Sequence, residues 1–219
     1  HAITEYTARV IFVNASALNS VLILLNSTSS RFPHGLGNDH GVLGRYVAHH
    51  NYQWRAETTL PGMEDTYYYG RNPTETILVN FRNLGKQDTD FVGGYTTFVG
   101  AWRERGDGVT TRLGAEHKAH ARRPGPWKAY MYIQGETIPK EKNHVRLHPT
   151  QRDQWGIPLL VTSVEYDDND RKMGEDWQQQ ATQLLQAAGG KTVAIYQNLQ
   201  TPGLDIHEMG GCRMGRDPR

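Results

Sequence analysis

Six β-rich segments fill the middle of the chain and constrain its fold more than any other feature. Each is partly alternating in polarity, and clusters of Gly, Pro, Asp and Asn separate one from the next. The segments are 65–69, 76–82, 95–102, 128–135, 144–147 and 159–166, with a further strand predicted over 192–196. This pattern is typical of an antiparallel sheet whose strands follow one another along the chain.

One long helix is predicted after these segments, over Asp170–Ala188, and Gly189 is a natural stop for it. The charged, glycine-rich stretch 104–126 predicts a long loop. The helix has an apolar stripe of the kind that packs against a core, formed by Met173, Trp177, Ala181, Leu184, Leu185 and Ala188. These patterns predict an antiparallel sheet followed by one amphipathic helix.

The amino-terminal region has a different pattern. Residues 9–13 (RVIFV) predict a short buried strand, and the apolar run 20–26 predicts a helix or a second strand. Asn14 and Ser16 are good N-cap residues, which favours a strand, a turn and then a helix. That unit is typical of parallel α/β sheets.

Composition excludes several classes of function. The chain has 24 Lys and Arg against 23 Asp and Glu, a net charge of +1, which gives no basic field for nucleic acid or an anionic membrane. Cys212 is the single cysteine, so an internal disulfide framework and a cysteine-rich zinc site are excluded. No apolar run reaches the roughly 18 residues that a membrane span needs.

The chain contains ten histidines, but their spacing does not support a metal site. His49 and His50 would point to opposite faces of a strand. His117 and His120 could share a helix face, yet they lie in a solvated basic stretch without a carboxylate at HExxH spacing. We therefore predict no bound metal.

The aromatic residues allow two interpretations. Most are expected to pack the sheet, whereas a few could line a sugar site, where ring faces suit a polyol. The candidates for such a site are Trp54, Tyr67, Tyr69 and Trp102, and the sequence alone does not select among them.

The strongest local signal is IHEMGGCRMG, residues 206–215. A histidine followed by a Gly-Gly turn places an imidazole against closely approaching backbone. Imidazole has an ordinary pKa of about 6.5 and is a natural general base at neutral pH. A structural histidine in a tight turn is the alternative interpretation.

This segment resembles the active-site motif of the glucose–methanol–choline (GMC) family of FAD-dependent oxidoreductases, which typically reads H-x-x-G-[TG]-x-R-M-G. Residues 16–27 (SALNSVLILLNS) resemble the family's GAIGTPQLLLLSG signature, although Ser16 and Asn19 replace the usual glycines. Residues 43–50 (LGRYVAHH) resemble VGRNLxDH. The sugar-oxidising branch, with pyranose oxidase and the glucoside 3-dehydrogenases, is the most similar, and 135–158 is similar to a pyranose oxidase region.

The resemblance implies a domain organisation. Residues 1–29 would be the end of a Rossmann-like FAD-binding domain. Residues 30–204 would be the substrate-binding domain, so the implied fold class is α+β, an antiparallel sheet backed by helices. Residues 205–219 would be the active-site segment, which returns to the FAD domain. The family's GxGxxG motif would then lie outside the chain, as would the second catalytic residue, expected beyond Arg219.

The resemblance also implies a cofactor, partners and site residues. His207 would accept the proton of a substrate hydroxyl as hydride leaves for FAD. The partners would be a sugar or glycoside, the remainder of the enzyme, and an electron-transfer subunit or carrier. The remaining candidates are Ala15, Ser16, Asn19, Gly210 and Gly211 for FAD, and Gln134 and Glu136 for substrate. The alternatives are a non-catalytic β-rich carbohydrate-binding module and a structural or subunit-interaction protein without flavin.

Overall fold

The computed structural model of the chain describes residues 4–63, 74–105, 113–199, 201–202 and 206–215. The chain divides into two compact units. The first, here called the hairpin unit, comprises His1–Ala48, Pro139–Glu165 and His207–Arg219. The second, the sheet unit, comprises His49–Ile138 and Tyr166–Ile206.

The strands form two antiparallel sheets. They are β1 (His50–Asn51), β2 (Trp54–Leu60), β3 (Thr76–Leu78), β4 (Tyr95–Arg105), β5 (Pro124–Glu136), β6 (His144–Arg152), β7 (Pro158–Ser163) and β8 (Val193–Gln197). The larger sheet has the order β3-β4-β5-β2-β8, with β1 paired to β5, and β6 pairs with β7 in the hairpin unit. Since all these pairings are antiparallel, the predicted antiparallel sheet is confirmed.

The helices in the described part of the chain are α1 (Ala17–Asn26), α2 (Gly114–Ala121) and α3 (Asp168–Ala187). Helix α3 begins two residues before its predicted start because a capping box holds its first turn. The Asp167 carboxylate accepts the Asp170 backbone N–H at 3.2 Å, and the Asp170 carboxylate accepts the Asp167 N–H at 2.9 Å.

The core of the sheet unit lies between α3 and one face of the larger sheet. Its buried members are Ala56, Phe91, Tyr95, Ala129, Met131, Ile133, Met173, Trp177, Ala181 and Leu185. The Trp177 indole N–H donates to the Thr97 hydroxyl at 2.9 Å, so the largest buried ring is also hydrogen-bonded. The predicted helix that backs the sheet is confirmed, although Leu184 is exposed.

A polar cluster joins α3 to the segment before β4. The Arg82 guanidinium makes two hydrogen bonds to the Asp176 carboxylate, at 2.9 and 2.7 Å. The Tyr95 hydroxyl donates to the same carboxylate at 2.6 Å. Burial, and then the bond to Asp176, raises the pKa of Tyr95, so this phenol stays protonated and acts as a donor.

In the hairpin unit, α1 packs with the β6–β7 hairpin over the buried residues Val21, Val47 and Val145. The prediction of a strand over 9–13 is wrong. The described residues provide no strand to pair with that segment, and Phe12 within it is 80% exposed. The apolar run 20–26, for which the sequence allowed a helix or a strand, is helical and belongs to α1.

Other predicted boundaries also change. The stretch 104–126, predicted as a loop, contains α2, and β5 already begins at Pro124 because Pro124 pairs with Arg105. The strand predicted over 76–82 stops at Leu78, and the Asn80 side chain instead accepts the Arg82 backbone N–H at 3.0 Å. The strand predicted over 65–69 lies outside the described residues.

Candidate active site

Backbone hydrogen bonds hold the segment that follows His207. Met209 and Ala48 exchange two N–H···O=C bonds, both 2.9 Å long. The Gly44 N–H donates to the Gly211 carbonyl at 2.7 Å. Residues 209–211 therefore lie along the segment 44–48 like a short antiparallel strand.

Residues 143–145 hold the same segment, 44–48, through two further backbone groups. The Val47 N–H donates to the Asn143 carbonyl at 3.0 Å, and the Val145 N–H donates to the Gly44 carbonyl at 2.8 Å. The residues after His207 are thus attached to a backbone that is itself paired to β6, which gives the site a rigid support.

Gly210 and Gly211 both have left-handed backbone, with φ of 84° and 74°. A β-carbon on Gly210 would lie 2.1 Å from the Tyr46 carbonyl oxygen, and one on Gly211 would lie 2.7 Å from Val21 Cγ2. Contacts within the chain therefore account for glycine at both positions. The contact of Gly210 and Gly211 with FAD stays a prediction.

His207 is exposed and has a φ of 63°. Left-handed backbone is uncommon for residues other than glycine and costs roughly 1–2 kcal/mol. Such conformations persist where the surrounding structure holds them, and they concentrate at functional sites. The Met209–Ala48 pair supplies that support two residues later.

Ala15, Ser16 and Asn19 lie at the N-terminal end of α1. Ser16 is the N-cap residue with a φ of 65°, a conformation that suits the glycine found there in the family signature. Among the described residues no side chain caps this end of α1, and Ser16 and Asn19 are exposed. The amide groups of the first helical turn are therefore available to an anion, so Ser16 and Asn19 fit a phosphate group such as those of FAD. The Ala15 N–H instead donates to the Ser20 hydroxyl at 3.4 Å.

The two predicted substrate residues lie on β5, in the sheet unit. The Glu136 carboxylate accepts the Gly94 N–H at 3.2 Å, and the Glu136 N–H donates to the Gly94 carbonyl at 2.9 Å. Glu136 thus adds two hydrogen bonds at the end of the β4–β5 pair. Gln134 is the cross-strand neighbour of Thr96, whose hydroxyl donates to the Gln134 carbonyl at 3.4 Å.

The aromatic sugar-site candidates separate into three cases. Trp54 packs against α3, since a β-carbon on Gly174 would lie 2.5 Å from the Trp54 Nε1 atom, so Trp54 belongs to the core. Trp102 is 36% exposed and packs beside Tyr130, with ring centroids 5.3 Å apart. The other two candidates, Tyr67 and Tyr69, lie outside the described residues.

The carboxy-terminal part of the chain is similar to a known protein family. A sequence model described as GMC oxidoreductase matches residues 139–219. The 2-methyl-1,2-propanediol dehydrogenase of Mycolicibacterium austroafricanum is 25% identical over 234 residues, which cover 98% of this chain and 40% of that protein. Residues 139–219 therefore match the GMC oxidoreductase family.

A second relative is the fructose dehydrogenase large subunit of Gluconobacter japonicus. It is 24% identical over 220 residues, which cover 97% of this chain and 38% of that protein. The chain therefore spans about two fifths of the length of the curated relatives it matches.

Within the described ranges, no three His, Cys, Asp or Glu side chains come together as a metal site. None of the helices that the structure describes is long and apolar enough to cross a bilayer.

A further cluster of side chains was not predicted from the sequence. The hydroxyls of Tyr130 and Tyr132 donate to the two carboxylate oxygens of Glu75, at 2.8 and 2.9 Å. Burial, together with this bond, raises the pKa of Tyr130 to about 12 and also raises the pKa of Tyr132. The alternation of Tyr130 and Tyr132 along β5 is the sequence signal that places both rings on one face.

Proposed function

We propose that this chain is part of an FAD-dependent oxidoreductase that converts a CH–OH group of a sugar or glycoside into a carbonyl. The match of residues 139–219 to the GMC family model and the two dehydrogenase relatives support the oxidation of an alcohol. The name fructose dehydrogenase and the resemblance to the pyranose oxidase and glucoside 3-dehydrogenase branch support a sugar. The single observation that carries the proposal is His207, which has left-handed backbone and lies within the family-matched region.

His207 is proposed as the general base. Its imidazole takes the proton of a substrate hydroxyl. The carbon that bears this hydroxyl gives up a hydride, so the C–O bond becomes a C=O bond. Bound FAD supplies the acceptor for that hydride. A positioned base of this kind typically contributes ~10²–10⁴-fold to the rate.

The residues proposed to hold FAD belong to two places in the hairpin unit. The uncapped end of α1 would bind a phosphate through its backbone amides, and the glycines after His207 would let backbone approach the ring system. These residues are Ala15, Ser16, Asn19, Gly210 and Gly211. Gln134 and Glu136 remain the proposed hydrogen-bonding partners of the substrate.

The domain organisation and the partners are also proposed. Residues 1–29 and 205–219 would belong to the Rossmann-like FAD domain and 30–204 to the substrate domain, with the remainder of the enzyme completing the site. One relative is named a large subunit, which supports an electron-transfer subunit or carrier as the acceptor of the electrons.

The test uses the full-length enzyme and the variant His207→Ala. We expect the variant to retain FAD and to lose flavin reduction by sugar by ~10²–10⁴-fold, measured as loss of oxidised-flavin absorbance without oxygen. The matched control is His117→Ala, since His117 is an exposed histidine on α2, and this variant should reduce flavin at the parental rate.

Two outcomes would contradict the proposal. Unchanged flavin reduction in His207→Ala would remove His207 as the base. A full-length protein that binds sugar but no FAD would favour the carbohydrate-binding module instead.

A further inference from the structure

One face of the larger sheet lies opposite the face that packs on α3. Successive residues along a strand point to opposite faces, and on β5 the positions 129, 131 and 133 point to the core. A row of cross-strand neighbours crosses the opposite face, here called the open face, from β3 to β8. Its members are Ile77, Phe98, Tyr132, Arg55 and Tyr196.

Tyr130 and Tyr132 form a platform on the open face. Both side chains start on β5 and end at Glu75, which precedes β3, so each ring crosses the intervening strand β4. The two rings are parallel to within 4°, with centroids 6.3 Å apart.

The strand below supports both rings of the platform. A β-carbon on Gly100 would lie 2.3 Å from the Tyr130 ring, so that ring rests directly on the backbone of β4. The Tyr132 ring stacks on Phe98, with centroids 5.0 Å apart and planes within 1°. Because both rings are anchored at each end, a ligand meets a preformed surface and little ordering entropy is lost on binding.

Charged groups lie at two edges of the platform. The Glu75 carboxylate has lone pairs beyond those that accept the two tyrosine hydroxyls. On the other side, the Arg55 guanidinium lies 5.9 Å from the Tyr132 ring centroid, and its Nη2 atom donates to the Tyr52 hydroxyl at 3.0 Å. A flat apolar surface thus lies between a hydrogen-bond acceptor and a hydrogen-bond donor.

We infer that the Tyr130–Tyr132 platform binds the ring of a cyclic sugar, with the ring's C–H face against the tyrosines and its hydroxyls towards Glu75 and Arg55. Aromatic walls with a few fixed polar groups are the usual composition of such a site. A small acyclic diol is too short to cover two rings 6.3 Å apart. The inference deepens the proposed function, on which it rests, by naming the residues that hold the sugar ring.

The test compares D-fructose and D-glucose with 1,2-propanediol on the full-length flavoenzyme, by calorimetric binding and by KM for flavin reduction. We expect Tyr130→Leu to raise the Kd and KM of the sugars by about tenfold and to change those of the diol less than about twofold. Tyr130→Phe keeps the ring and should bind the sugars within about threefold of the parent. Trp155→Leu is the control, because Trp155 is an exposed aromatic residue outside the platform.

Glu75→Gln is a second variant, in case Tyr130→Leu does not fold. It replaces one acceptor oxygen by an amide NH₂ and releases one tyrosine hydroxyl, so a rise of about threefold in the sugar Kd is expected. FAD content and melting temperature report folding. Unchanged sugar Kd in a folded variant, or equal losses for sugar and diol, would overturn the inference.

The proposed function and the platform fail in different ways. If the sugars bind to the parent and lose affinity in Tyr130→Leu, but never reduce the flavin, the platform stands and the proposed function fails. If the sugars reduce the flavin and Tyr130→Leu leaves Kd and KM unchanged, the proposed function stands and the platform fails.

Discussion

Gly210 lies against the backbone of Tyr46, whose carbonyl oxygen occupies a point 2.1 Å from where a β-carbon on Gly210 would be. The Tyr46 ring is in turn covered by the Arg213 guanidinium, 4.7 Å from the ring centroid. Two distant segments of the chain therefore pack backbone to backbone beside His207. No side chain has room between them.

Gly210→Ala should destabilise the protein because it combines a backbone clash with a positive φ. We expect a loss of roughly 2–4 kcal/mol, measured as a lower urea midpoint of the full-length protein. Gly41→Ala is the control, since Gly41 has a φ of 66° but no atom within 4 Å of a β-carbon. Equal effects of the two substitutions would show that the contact with Tyr46 contributes nothing.

Asp176→Ala should also be strongly destabilising. It leaves the Arg82 guanidinium and the buried Tyr95 hydroxyl without their shared carboxylate, at a cost of ~2–4 kcal/mol. Glu175→Ala is the neighbouring control, because Glu175 pairs with Arg171 on the exposed side of α3, and it should cost less than about 1 kcal/mol. Thermal unfolding measures both, and similar melting temperatures would contradict the prediction.

Stability should fall at alkaline pH through Tyr130. Its pKa is about 12 in the folded protein, whereas an unfolded tyrosine has a pKa of about 10. Above pH of about 10 the unfolded chain loses this proton before the folded chain does, so the contribution is fully present below that pH and is lost towards pH 12. Urea midpoints across this range should fall less in Tyr130→Phe, and an identical fall would contradict the prediction.

Local patterns in the sequence predicted the helices and strands whose buried residues recur at regular spacing. The apolar stripe repeats at helical spacing, and α3 buries its members Met173, Trp177, Ala181 and Leu185 against the sheet. The run 95–102 similarly predicted β4. The prediction of a strand over 9–13 failed because apolar composition indicates that a segment could be buried, but not whether a partner strand lies beside it.

The candidate site was predictable where a motif carries the information. Residues 206–215 were selected from the sequence alone, and the structure adds that Met209 pairs with Ala48. The tyrosine platform was not predictable, because Tyr130 and Glu75 are 55 positions apart. Their contact depends on the register of β3, β4 and β5, which long-range pairing sets.

The position of segment 44–48 between two later parts of the chain has a consequence for biosynthesis. Gly44 and Ala48 leave the ribosome well before Asn143, and the whole sheet unit is made before Met209 emerges. Since domains begin to fold as they are synthesised, the sheet unit can form while Ala48 still lacks its partner. A nascent chain stalled before His207 would carry that unpaired backbone edge and would be a preferred target of chaperones and proteases.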